Sequence, residues 1–152
     1  MEDSQLELKN QICFPIYSVS RLITKAYKPY LDEMGVTYPQ YLVLMVLWEH
    51  DEQSVNQITE RLLLNTNTVS PLLKRMEKQG VVSRVKSLKD ERSICVKLTK
   101  HGVELKEKAK SIPDNLLKAL VNEKVNLEDV LQLKDVVNQW IEVLTKNDKN
   151  LK

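Results

Sequence analysis

The sequence predicts a mainly α-helical fold with one small β-hairpin, and three observations carry that prediction. Residues 54–80 read as two short helices about a tight turn. Ser54, with Gln57 three residues on, is a capping pair, and Ile58, Leu62 and Leu63 give the first helix one apolar side. Leu64-Asn65-Thr66 breaks the pattern; Val69, Leu72, Leu73 and Met76 then recur at i, i+3, i+4 and i+7 until Gly80 stops the second helix. Residues 81–86 and 93–98 read as strands around a charged tip, with Ile94, Val96 and Leu98 alternating onto one face. Finally, three Gly and five Pro in 152 residues leave room for long helices and few loops. Two helices about a tight turn and then a hairpin make a winged helix-turn-helix.

The free face of the second helix carries Thr68, Ser70, Lys74, Arg75 and Lys78, hydroxyls and cations that suit phosphate oxygens and base edges. The hairpin adds Arg84 and Lys86, and its tip Asp90 and Arg92. Residues 65–92 hold seven cations against three anions, although the whole chain carries only +2. Positive charge is therefore concentrated on the element that would meet a polyanion, and double-stranded DNA is the expected partner. The plainer alternative, solvated faces of an ordinary helix and hairpin, is disfavoured because motif, hairpin and charge coincide.

The remaining elements follow in order. Residues 5–34 read as a long helix with an apolar stripe of Leu22, Ile23, Ala26, Tyr27, Tyr30, Leu31 and Met34. Pro15 is comfortable only in a first helical turn. Either the regular helix begins at about Phe14, or it is broken there. In the first case Cys13 lies at a helix N-terminus, where the dipole and free amides favour a thiolate. Gly35 closes this helix and Tyr38-Pro39 opens the next, whose Leu42, Leu44, Met45, Val46, Leu47 and Trp48 predict the buried centre. After the hairpin, Thr99 caps a helix with Leu105, Ala109, Ile112 and Leu116 on one side and a kink at Pro113. Asn126 caps a last helix, in which Val130, Leu133, Val137, Trp140 and Leu144 step as a heptad seam suited to helix packing between subunits. The polar tail 146–152 is expected to fray.

The expectation is thus one domain, 1–152, with a DNA-binding part at about 38–98 and dimerisation helices at about 5–34 and 99–146. The chain has no apolar run of membrane-spanning length, and its first residues are acidic and polar, so a cytoplasmic protein with no membrane partner is expected. His50 and His101 are isolated, and no Cys or His pair has ligand spacing, so neither a metal nor a cofactor is implied. On composition alone Cys13 is as well read as inert apolar filler, and Cys95 as a strand cysteine without function.

Taken together, the elements resemble the MarR family of bacterial repressors, most specifically in the stretches Thr68-Val69-Ser70-Pro71-Leu72-Leu73-Lys74-Arg75-Met76-Glu77 and Asp90-Glu91-Arg92-Ser93. Gln11-Ile12-Cys13-Phe14, Tyr17, Tyr27-Lys28-Pro29 and Thr37-Tyr38-Pro39-Gln40-Tyr41 resemble the organic hydroperoxide sensors of the OhrR type, although Pro15 stands where an aliphatic residue is usual. That resemblance implies a redox-sensing Cys13, Tyr27 and Tyr38 hydrogen-bonded to it across a dimer interface, and Tyr17 helping to hold the reduced arrangement. It implies a homodimer on a pseudo-palindromic operator, with Asp90 orienting Arg92 into the minor groove, and no enzymatic activity. With no second sensing cysteine at a matching position, the one-cysteine subclass is implied. Oxidised Cys13 is then expected either to form an adduct with a low-molecular-weight thiol or to oxidise further to the sulfinic or sulfonic acid. The competing readings are a thiol-based global regulator of virulence or biofilm genes, a repressor answering phenolic ligands, and a thiol peroxidase.

Overall fold

The computed structural model describes residues 3–87 and 92–150, in two compact units that divide between Lys110 and Ser111. In the first unit the regular helix α1 spans Cys13–Met34, preceded by two short 3-10 turns at Asp3–Leu6 and Leu8–Asn10. The helix expected from residue 5 therefore starts at Cys13. Pro15 falls in its first turn, where the missing N–H would have no helical partner in any case. Gly35 stops α1 in the left-handed region at φ 68°, with the Val36 N–H returning to the Leu31 carbonyl at 3.1 Å.

Helix α2, Tyr38–Glu49, is the centre of this unit: Val43, Leu44, Val46 and Leu47 are buried. Strand β1, Gln53–Ser54, leads into α3, Val55–Leu62. Ser54 Oγ accepts from the Gln57 N–H at 3.1 Å, and Gln57 Oε1 accepts from the Ser54 N–H at 2.8 Å, which is the expected reciprocal cap. Leu63 ends α3 at φ 53°, so an exposed leucine occupies the left-handed position that makes the tight turn. Helix α4, Thr66–Lys78, buries Val69, Leu72, Leu73 and Met76, the four residues that the spacing selects. Gly80 follows at φ 70°; its N–H bonds to Glu77 and that of Val81 to Met76, which closes the helix as a Schellman motif.

Strands β2, Val82–Lys86, and β3, Ile94–Leu98, form the hairpin, with Arg84 opposite Val96 and Val85 opposite Cys95. The sheet has a third strand that sequence patterning did not predict: β1 pairs along β3, giving the order β1-β3-β2. Two residues are too short for an alternation to register. Helix α5, Lys100–Ala109, is capped by Thr99 Oγ1, which accepts the Gly102 N–H, and the Trp48 indole N–H donates to the Gly102 carbonyl at 2.9 Å.

In the second unit α6 spans Ile112–Leu120 and α7 spans Leu127–Asn150. The kink expected at Pro113 is a full break, with Pro113 in the first turn of a new helix, where proline is favoured. Asn126 and Asp129 cap α7 reciprocally, each side chain accepting the other's N–H, at 3.0 and 2.8 Å. Of the tail expected to fray, residues 146–150 are helical, with no glycine or proline to interrupt them, and residues 151–152 lie outside the described residues. Of the heptad seam, Val130 and Val137 are half-buried, while Leu133, Trp140 and Leu144 are exposed.

Candidate functional site

Cys13 is the first residue of α1 and is exposed. Tyr17 lies one turn on, on the same face, also exposed, with the Arg21 guanidinium 5.5 Å from its ring centroid. Tyr27 and Tyr38 come together elsewhere. Their ring centroids are 4.9 Å apart, and Tyr41 completes the group at 5.7 Å from Tyr27 and 6.5 Å from Tyr38. Burial, then the neighbouring Tyr38 and Tyr41, pushes the Tyr27 phenol up to about 12; burial also raises Tyr38 and, with Tyr38 beside it, Tyr41. At neutral pH these phenols are protonated donors.

The fourteen residues from Cys13 to Tyr27 along one helix span about 21 Å at 1.5 Å per residue. Within one chain the thiol and the tyrosine group therefore cannot touch. Around the thiol the apolar side chains are uncovered: Ile12, Phe14, Ile16, Val19 and Leu22 are all exposed. The stripe predicted for α1 is buried only at its far end, at Leu31 and Met34, because the earlier turns extend beyond the core of their own unit.

On the recognition side, Thr68, Lys74, Arg75 and Lys78 are exposed along α4 and Ser70 is half-buried. Lys74, Arg75, Lys78 and the exposed Lys86 on β2 form no ion pair with an acid among the described residues, and cations on this face suit a polyanion. Arg84 is placed differently. Its Nε donates to Glu77 Oε2 at 2.9 Å and its backbone N–H to Glu77 Oε1 at 3.2 Å, so it ties the wing to the end of α4. Its side chain is only 20% exposed. Arg92 is described and engaged in an interaction, whereas Asp90 lies outside the described residues.

Cys95 sits in the central strand, between Ser54 and Val85, half-buried. Burial, then the carboxylates of Glu52 and Asp51, push its thiol up, which lowers its thiolate fraction. No group of three His, Cys, Asp or Glu among the described residues could hold a metal, and no described helix is long and apolar enough to cross a membrane.

Comparison with known proteins identifies the family. The family described as Transcriptional regulator SarA/Rot matches residues 25–109. The organic hydroperoxide resistance transcriptional regulator of Bacillus subtilis is 46% identical over 139 residues, covering 91% of this chain and 92% of that one. The chain belongs to the MarR family of transcriptional regulators. Among solved structures, reduced AbfR bound to DNA, a regulator of Staphylococcus epidermidis, resembles this MarR-family chain with a TM-score of 0.75 at 33% identity, over 96% of this chain and 98% of that one. Overoxidised AbfR bound to DNA gives 0.74 at 33%, over 95% and 99%.

Three parts of this MarR-family site escaped sequence reasoning. Tyr41 joins the tyrosine group, although the sequence marked it only as part of the stretch Thr37-Tyr38-Pro39-Gln40-Tyr41 and gave it no role. Glu77 binds Arg84, and no periodicity marks a helix-end acid as the clamp of a strand seven residues on. Gln40, at 2% exposure, is one of two buried polar residues among those described; the Thr-x-x-Gln spacing from Thr37 was its only signal.

Proposed function

We propose that this protein is a DNA-binding repressor that works as a homodimer and leaves its operator when organic hydroperoxide oxidises Cys13. The carrying observation is that each chain holds two halves of a sensor that it cannot close: a thiol at one end of α1, and phenolic donors about 21 Å away at the other. A twofold axis crossing α1 brings each thiol to the partner's tyrosines. The uncovered apolar residues around Cys13, and those on α7, supply surface for such an interface.

In the reduced dimer, the Tyr27 and Tyr38 hydroxyls donate to the partner's Cys13 thiolate, and Tyr17 closes the cavity one turn away. The thiolate sulfur attacks the distal peroxide oxygen and the O–O bond breaks. The alkoxide leaves and takes up a proton as the alcohol, and the sulfur becomes sulfenic acid, oxidised by two electrons. A low-molecular-weight thiol then attacks that sulfur, giving a mixed disulfide and water. The adduct displaces the tyrosines, strains the interface and changes the separation of the two headpieces. We assign release to this bulky adduct rather than to overoxidation, because overoxidised AbfR is itself a DNA complex.

Before oxidation, α4 of each subunit enters a major groove, with Thr68, Ser70, Lys74, Arg75 and Lys78 against phosphates and base edges. Lys86 and Arg92 bring the wing to the flanking backbone and minor groove, Asp90 orients Arg92, and Arg84 holds the wing through Glu77. The test is Cys13→Ser. It should bind an operator as the parent does and stay bound under cumene hydroperoxide with free cysteine, conditions that release the parent. Release of Cys13→Ser would overturn the assignment.

A further inference from the structure

The tyrosine group and the recognition helix are joined by one side chain. Gln40 is the third residue of α2, between Tyr38 and Tyr41, and it is buried. Its Oε1 accepts the Thr37 N–H at 2.9 Å, at the residue preceding Tyr38. That bond requires the oxygen on this side, so the amide nitrogen faces the other way. There Nε2 donates to Gln79 Oε1 at 2.9 Å, and Gln79 is the C-cap residue of α4. Gln40, Gln79 and Arg75 line one cleft with Asp32, Gly35 and Thr37, so the end of the recognition helix abuts the turn that carries Tyr38.

We infer that Gln40 is the positioning residue that couples the state of the tyrosine site to the placement of α4. It rests on the redox reading above. A shift of Tyr38 moves the Thr37–Tyr38 turn. Gln40 is held at both ends and is itself buried, so it either moves with the turn or leaves a buried polar group unpaired. Either response reaches Gln79 and, through it, the last turn of α4, where Arg75 and Lys78 face the DNA. The link from Gln40 to Gln79 is a hydrogen bond between two neutral side-chain amides, which transmits displacement without adding charge to the interface.

The test compares the parent with Gln40→Met, Gln79→Met and Gln40→Glu. The probe is a duplex selected by the reduced parent from a random-sequence pool. Its Kd is measured before and after cumene hydroperoxide with free cysteine, and the rate of Cys13 oxidation is followed by mass spectrometry. Gln40→Met and Gln79→Met, which keep the volume and lose the bond, should lower the oxidised-to-reduced Kd ratio by about fivefold or more, the lower end of ordinary coupling. Their Cys13 oxidation rates should match the parent's. Gln40→Glu should restore the ratio, because its carboxylate accepts from Thr37 and from a rotated Gln79 amide. Gln79 is exposed, so Gln79→Met decides the matter if Gln40→Met fails to fold. Kd values that change equally in both states, leaving the ratio intact, would reduce Gln40 to a packing role and overturn the inference. A parent that stays bound after oxidation would overturn the redox reading and this inference with it.

Discussion

A sensor divided between chains can be tested with mixed dimers. The perturbation is a heterodimer of a Cys13→Ser subunit with a Tyr27→Phe/Tyr38→Phe subunit, both carrying Cys95→Ser and separated by different affinity tags. One chain then supplies the only thiol and the other the only Tyr27 and Tyr38 hydroxyls. If thiol and phenols meet across the interface, this heterodimer keeps one complete site; if they met within a chain, it would keep none. The helix sets the contrast: about 21 Å within a chain against the roughly 3 Å of a hydrogen bond. Phenylalanine keeps the ring packing, with Tyr27 and Tyr38 centroids 4.9 Å apart, and removes only the donors. A charge-assisted bond contributes about 1.5 kcal/mol or more, so its loss corresponds to about tenfold in rate if it is fully expressed in the attack. The assay is loss of the free thiol under limiting cumene hydroperoxide. The heterodimer should react at the rate of the parent's sites, and the Tyr27→Phe/Tyr38→Phe homodimer at least about tenfold more slowly. A heterodimer as slow as that homodimer would refute the divided sensor.

Other predictions address the frame that holds the site. Glu77→Gln should keep the Arg84 N–H bond but leave a largely buried guanidinium without its counter-charge, lowering unfolding stability by about 1 kcal/mol in urea; no change would mean the clamp is idle. Gly102→Ala improves helix propensity, yet the new Cβ would stand 2.2 Å from the Val81 carbonyl oxygen, so a net loss of about 2 kcal/mol is expected and a gain would contradict the close approach. The Tyr27 phenol, pushed up to about 12, keeps its proton in the folded chain where an unfolded chain loses it near 10. Its contribution to stability is therefore complete below about pH 10 and lost as pH rises towards 12. Phenolate absorbance should show a late-titrating group that Tyr27→Phe removes.

The fold was legible where periodicity and punctuation coincide. The capping pair at Ser54 and Gln57, the four apolar residues of α4 and the glycine stops at Gly35 and Gly80 each depend on local chemistry that a linear sequence displays. The start of α1 turned on Pro15, which allowed two outcomes until the first turn was located at Cys13. Strand β1 exists because β3 offers it an edge, and the Arg84–Glu77 clamp because the hairpin folds back on α4; neither partner can be read from spacing. The exposed half of the α1 stripe shows another limit. Periodicity marks an apolar face, but not whether the same chain covers it. The thiol and tyrosines were singled out only by resemblance, and their separation in one chain follows only from the length of the helix.

Under the proposed mechanism, oxidation of Cys13 alone removes the repressor from DNA. The most direct measurement uses Cys95→Ser, which leaves a single thiol, bound to a fluorescent operator duplex and titrated with cumene hydroperoxide in the presence of free cysteine. Anisotropy reports release while mass spectrometry of the same samples counts adducts on Cys13. Release should rise in step with a reductant-reversible mixed disulfide on Cys13, and reductant should restore binding. Full modification of Cys13 with the duplex still bound, or loss of the response in Cys95→Ser together with a Cys13–Cys95 crosslink in the parent, would contradict the account.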